Sequence, residues 1–349
     1  MSITIPHYDE GNFQPQRLIM QYVRSNRPVD IYMNIKEKVF AQDAAIRQAS
    51  LLVYAYLNTL AYGNYADRKY HFMIEAASGC GKSTFANALK AAVQIPVVIC
   101  DASQVTGAGW RGCDAADLLD NDELWKWGCG IIILDELDKA IMPQGGNAEN
   151  HHRFVQESFL KMMDGGTVHN KDGKAFDCSR YLFVGMGAFT PMREKKVEPR
   201  AIGFGAVQKV EETATSDVIT RDYITEVCGS EQFMGRFVSV LHFRKLGFQH
   251  YRIMLKNAVE EICETYGSWE LPKEVEEQII RQALKSPYGA RNIRNEVWNF
   301  FMAADSRMIQ QMKKQEAIDR RLREGVFPDE EDRDFLYRKL LSTDAIASA

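Results

Sequence analysis

With 349 residues, 46% of them hydrophobic, the chain has apolar material for two packed domains. A net charge of −4, from 43 basic and 47 acidic side chains, excludes the global positive field of a nucleic-acid binder. The seven cysteines include no C-x-x-C pair and no apolar run approaches ~20 residues, which predicts reduced thiols in a soluble, cytoplasmic protein with no membrane partner. Residues 1–30 hold Pro6 and Pro15 among polar residues and show no clear periodicity, so they read as an irregular N-terminal arm. From Ile35 to Leu60 the apolar residues, among them Val39, Ala45, Ile46, Leu52 and Leu57, recur at helical spacing. Strand-like and helical runs then alternate. A strand is predicted from Phe72 to Glu75, a helix from Ser83 to Ala92 and a strand from Val97 to Cys100. Next come a helix near Asp114 to Leu119, a strand from Ile131 to Leu134, a helix around Phe154 to Met163 and a strand from Arg180 to Gly185. That alternation predicts an α/β domain over residues 31–243, a parallel sheet flanked by helices. From there to residue 316 only helical spacing remains, as in Ile253, Leu255, Ala258, Val259 and Ile262, which predicts a small all-helical domain. Residues 317–349 form a charged tail with acids from Asp329 to Asp332, read as a solvated appendage.

Two segments carry the chemistry. Ala76-Ala77-Ser78-Gly79-Cys80-Gly81-Lys82-Ser83, followed by Thr84, has the composition of a phosphate loop between a strand and a helix. Its glycines let backbone N–H groups of Ser78 to Thr84 turn toward phosphates, and the helix N-terminus adds its positive end. Lys82 would reach the β- and γ-phosphates and Ser83 would ligate Mg²⁺. The pattern G-x-x-x-x-G-K-[ST] has alanine at Ala76 here, so a slightly weaker fit is expected, and Glu75 adds a negative charge near the phosphates unless it points away. The second segment, Ile131-Ile132-Ile133-Leu134-Asp135-Glu136, is an apolar strand ending in two carboxylates. Asp135 would hold the metal through water and Glu136 would polarise the attacking water. Together the two motifs predict ATP and Mg²⁺ binding with hydrolysis.

A phosphate loop on an α/β core with a helical second domain is the plan of the AAA+ P-loop ATPases, and several motifs resemble the ClpX branch of the Clp unfoldases. Asp101-Ala102-Ser103-Gln104-Val105-Thr106-Gly107-Ala108-Gly109-Trp110-Arg111-Gly112 resembles D-A-T-x-L-T-E-A-G-Y-V-G. Leu134 to Lys139 resembles I-D-E-I-D-K, and Tyr181 to Phe189 resembles I-L-F-I-C-G-G-A-F. Phe233-Met234-Gly235-Arg236 resembles F-I-G-R, and Gly289 to Arg294 resembles G-A-R-G-L-R. The resemblance implies a homo-hexameric ring that unfolds and threads polypeptides. In such a ring Arg236 would reach a neighbour's nucleotide as an arginine finger, and Arg291 would sense the phosphates from the helical domain. Val39 and Phe40, before Ala41-Gln42-Asp43, resemble the V-I-G-Q-E segment that packs on adenine; a core position suits Phe40 as well. Gly109-Trp110-Arg111-Gly112 corresponds to the pore loop that grips substrate, with Arg111 in place of valine. Ile202-Gly203-Phe204 corresponds to the loop that docks on a ClpP-type peptidase.

The chain also departs from that pattern. Nothing resembles the cysteine-rich zinc domain of ClpX, and the R-K-H pore-entrance motif is missing between Val168 and Phe176, where His169, Lys171 and Lys174 supply basic character. Substrate recruitment is therefore expected to differ. An HslU-like unfoldase is a second reading, opposed by Ile202-Gly203-Phe204 and by the lack of a large insertion. A nucleotide-switched scaffold with little hydrolysis is a third, resting on Ala76 and Glu75.

Overall fold

A computed structural model describes residues 14–63, 70–105, 113–143, 151–170, 172–190, 219–228, 230–267, 269–286, 289–304, 306–326, 329–333 and 336. The chain divides into two compact units, one of residues 1–250 with 286–290 and the other of 251–285 with 291–349.

The first unit opens with three helices, α1 (Pro15–Ser25), α2 (Pro28–Lys36) and α3 (Asp43–Tyr62). Both short helices start on proline, whose fixed φ suits the first helical position. The segment read as an irregular arm is thus helical from Pro15. Ile19, Tyr22 and Val23 are buried, and the Tyr22 hydroxyl donates to the Ala92 carbonyl at 2.8 Å. The helix is only three turns long and its apolar stripe repeats too few times to stand out from the polar residues around it.

Behind these helices lies a sheet of parallel strands: β1 (Phe72–Ala76), β2 (Val97–Asp101), β3 (Gly130–Asp135), β6 (Tyr181–Gly187) and β7 (Ser239–Phe243), in the order β2-β3-β6-β1-β7. Side chains alternate between two apolar layers. Ile74, Ile131, Ile133, Val184 and Leu241 face α1 to α3 and α4 (Lys82–Ala92), while Met73, Ile132, Leu134 and Phe183 face the other layer. That second layer contains α5 (Asp122–Trp127), α6 (Leu137–Ile141), α7 (His151–Met163), α8 (Arg221–Cys228) and α9 (Glu231–Gly235). The expected helix near Asp114 to Leu119 is a 3₁₀ turn, Ala115–Leu119.

A short antiparallel hairpin, β4 (Thr167–His169) with β5 (Ala175–Asp177), occupies the interval that lacks the R-K-H pore-entrance motif. Lys174 there pairs with Asp120 at 3.1 Å and lies over the Trp125 ring, so its charge is engaged by the chain itself. All seven cysteines are free thiols; burial pushes Cys100 and Cys129 up to about 11 and Cys228 to about 12.

The second unit is helical among its described residues, with most of α10 (Phe248–Tyr266), α11 (Lys273–Lys285), α12 (Arg291–Ala304) and α13 (Ser306–Arg323). Phe301 is buried beneath Tyr266, Trp269 and Trp298. The acids after α13 are not simply solvated. Arg321 pairs with Asp329 at 3.3 Å and with the buried Asp332 at 2.7 Å, and Lys314 pairs with Glu331 at 3.2 Å.

Candidate active site

The carboxyl edge of the sheet gathers the predicted phosphate loop and the paired acids. In a parallel sheet every strand ends on the same side, and the crevice beside the strand where the order reverses is the usual ligand site. Here that strand is β1, flanked by β6 and β7. Gly79 and Gly81 take left-handed φ values of 78° and 97°, a conformation that a β-carbon disfavours. Gly81 precedes α4, whose first turn has no side-chain cap, so its amides are presented to an anion. Ser78, Ser83 and Thr84 are exposed on this loop, and the Cys80 side chain is turned inward. Lys82 folds along the loop, its Nζ donating to the carbonyls of Ala76 at 2.6 Å and Ala77 at 3.3 Å.

Ala76 itself belongs to β1, buried and paired with Phe243. Its φ is not among the positive values, so alanine is unstrained there, and the expectation that it weakens the fit gains no structural basis. Glycine at that strand position would cost conformational entropy rather than improve the loop. Glu75 turns away from the loop to the neighbouring strand, its Oε2 3.0 Å from His242 Nδ1.

Asp135 ends β3 and Glu136 follows it, two strands from β1 and therefore roughly 10 Å across the sheet. Asp135 Oδ1 accepts the Glu136 N–H at 2.9 Å, which sets the orientation of the carboxylate. Glu136 sits at φ 54°, a left-handed conformation held by a non-glycine residue, and Lys139 Nζ contacts its Oε2 at 2.6 Å. Such backbone strain concentrates at sites where a side chain must be aimed. The donor set at this edge, a lysine, a hydroxyl and two carboxylates beside an uncapped helix N-terminus, fits a nucleoside triphosphate with a hard divalent cation.

Sequence reasoning gave Asp138 no role of its own. It is buried, and its Oδ2 accepts the Phe189 N–H at 2.8 Å, fixing the loop that follows β6. A β-carbon at Gly187 would come within 2.9 Å of Asp138 Oδ1, so only glycine admits this contact. Burial raises the Asp138 carboxyl above its usual range, opposed by hydrogen bonds from Phe189 and Ala188. A carboxyl raised in the folded state binds its proton more tightly there than in the unfolded chain. The wild type therefore loses stability relative to a non-titrating variant as pH rises from about 4 through the raised value. Asp138→Asn should accordingly gain on wild type between pH 4 and pH 7 in urea midpoint, and an unchanged difference would contradict the assignment.

Val39 is a buried core residue whose Cγ1 would lie 3.8 Å from a β-carbon at Gly81; Phe40 is half-buried and outside the core clusters. Next to them Ala41 holds φ 64°, where the resembling motif has glycine. Ala41→Gly should remove that strain and, after the added freedom of the unfolded chain, stabilise by roughly 0.5–1 kcal/mol. A urea midpoint shifted upward at constant slope is the check.

Arg236 is not brought to the phosphate loop. It precedes β7, and β7 starts beside the start of β1: Ser239 pairs with Phe72, and Phe243 with Ala76. Arg236 therefore lies at the amino edge of the sheet, a strand length of roughly 16 Å from the loop. There its guanidinium grips Asp164, Nε to Oδ1 and Nη2 to Oδ2, the latter at 3.0 Å. Asp164 follows α7, a helix C-terminus where a carboxylate is electrostatically disfavoured, and that was the available sequence signal of a basic partner. His71 steadies both arms: its side chain contacts the Met163 carbonyl at 3.0 Å, and its own carbonyl accepts the Val238 N–H at 2.7 Å.

Arg291 is the exposed first residue of α12 in the second unit. Gly109, Trp110, Arg111 and Gly112, and likewise Ile202, Gly203 and Phe204, lie outside the described residues. No described helix is long and apolar enough to cross a membrane.

The ATPase family associated with various cellular activities (AAA) matches residues 73–197. The ATP-dependent Clp protease ATP-binding subunit ClpX of Treponema denticola is 26% identical over 318 residues, covering 79% of this chain and 76% of that protein. ClpX 2 of Wolinella succinogenes is 25% identical over 309 residues, covering 78% and 76%.

Proposed function

We propose that this chain, a ClpX-like AAA+ ATPase, hydrolyses ATP within a homo-hexameric ring to unfold and thread polypeptides, and that it feeds a ClpP-type peptidase. The observation that carries the ring is the placement of Arg236 at the edge of the sheet away from its own phosphate loop. A charge-stabilising arginine so placed completes a site only on a neighbouring copy.

In this reading the amides from Ser78 to Thr84 and Lys82 hold the phosphates and offset the charge that accumulates on the transferring group. Val39 and Phe40 pack on the base. Ser83 and Asp135 would hold Mg²⁺, which neutralises phosphate charge when bound. Glu136 exchanges its contact with Lys139 for the attacking water, orients it and accepts its proton. Arg236 of the neighbour then stabilises the departing charge, and Arg291 reports phosphate occupancy to the helical unit. Trp110 and Arg111 as substrate grip, and Ile202-Gly203-Phe204 as peptidase dock, rest on the resemblance alone.

The scaffold alternative leaned on Ala76 and Glu75, and each has an ordinary role in the sheet. The decisive experiment is ATP-dependent loss of a folded fluorescent reporter in the presence of ClpP, with Glu136→Gln as control. Reporter loss that needs ATP, ClpP and Glu136 supports the proposal. Robust ATPase without reporter loss removes the proteolytic partnership, and absence of ATPase from an assembled ring favours the scaffold.

A further inference from the structure

The Gln42 side chain connects two parts of the first unit that lie far apart in sequence. Its amide is buried. Oε1 accepts the Arg244 N–H at 2.8 Å, and Nε2 donates to the Arg244 carbonyl at 2.8 Å. Nε2 also donates to the Cys80 carbonyl at 3.3 Å, inside the phosphate loop. An amide has one oxygen and two N–H bonds, and this environment uses all three. The reverse orientation would set the amide oxygen against two carbonyls, so the hydrogen-bond pattern admits one placement.

The surroundings give this clamp direction. On one side, Gln42 follows the strained Ala41 and the Val39 that borders Gly81. On the other, Arg244 directly follows β7 and opens the segment that runs to His250, after which the chain passes into the second unit. One side chain therefore holds the loop that binds phosphate and the chain that leaves for the helical unit. A nucleotide that draws the Cys80 peptide toward its phosphates changes the load on an amide already committed to Arg244.

We propose that Gln42 is a positioning residue that transmits phosphate-loop occupancy to residues 244–250. The proposal rests on the nucleotide-site reading above and adds a residue and a route to it. Gln42→Met keeps the length and apolar bulk of the side chain while removing all three hydrogen bonds, so packing is largely retained.

The test is amide hydrogen exchange of the full chain with and without ADP and Mg²⁺, read on peptides covering residues 76–85 and 244–250. In the wild type, ADP should slow exchange in both peptides by about fivefold, the scale of one hydrogen bond. In Gln42→Met the 76–85 peptide should still be protected by ADP and the 244–250 peptide should no longer respond. A merely structural Gln42 would speed exchange with and without ADP while preserving the difference, and that result overturns the proposal. So does a wild type in which ADP protects only residues 76–85. A wild type whose phosphate loop ADP leaves unprotected overturns the nucleotide site itself. Should Gln42→Met not fold, Gln42→Asn, one methylene too short to span Cys80 and Arg244 together, is read by the same criteria.

Discussion

Replacing Glu136 by glutamine is expected to lower ATP turnover by about 10²–10⁴-fold, the range of a lost general base, while nucleotide affinity stays within a few-fold of wild type. The separation follows from the geometry. The phosphate loop and Lys82 sit on β1 and α4, and Asp135 keeps its orientation through the backbone N–H of residue 136, which the substitution does not touch. Glutamine has the shape of glutamate, so the left-handed backbone at φ 54° is no more strained than before. What disappears is a basic oxygen, along with an exposed ion pair to Lys139 whose contribution to stability is about 0–1 kcal/mol. Steady-state turnover and fluorescent-nucleotide binding, measured on the same preparation, check the split. Loss of both together would place Glu136 in nucleotide binding rather than in the chemistry.

Arg236→Ala should be at least as severe, with a fall of about 10³-fold or more in turnover at saturating ATP. Its informative feature is complementation. Arg236→Ala chains retain Glu136, and Glu136→Gln chains retain Arg236. If each site takes its acid from one chain and its arginine from the next, random mixing restores about a quarter of the sites. Two inactive preparations should thus regain activity on mixing, which cannot happen if both groups serve the same chain's nucleotide. Truncation at this position leaves Asp164 without its bidentate partner, but that carboxylate is about two-fifths exposed and tolerates solvent in its place. Turnover as a function of mixing ratio is the measurement. No recovery in mixed assemblies of confirmed stoichiometry would remove Arg236 from the shared site.

Much of the sheet was legible because its central strands are apolar runs closed by punctuation: Phe72 onward by the glycine loop, Ile131 onward by Asp135. The edge strand β7 was not. Ser239 and His242 interrupt it, and only Leu241 and Phe243 of its residues are buried. The candidate phosphate loop and the acid pair were readable as motifs, since each is set by local backbone chemistry. Contacts that join distant segments were not: Gln42 meets Arg244 across 202 positions and Arg236 meets Asp164 across 72, and no periodic pattern records such a pairing. Left-handed Ala41 had only the glycine of the resembling motif to signal it, because alanine itself carries no signature of positive φ.

In the proposed ring of more than two copies, the sheet edges that separate Arg236 from Lys82 would also give the assembly a sense of rotation. Each copy would lend its arginine to one neighbour and borrow another's, so the contact is head-to-tail and its two faces are unlike. A defect in one copy is then felt unequally on its two sides, and succession around the circle has a handedness that no twofold-symmetric pairing could supply.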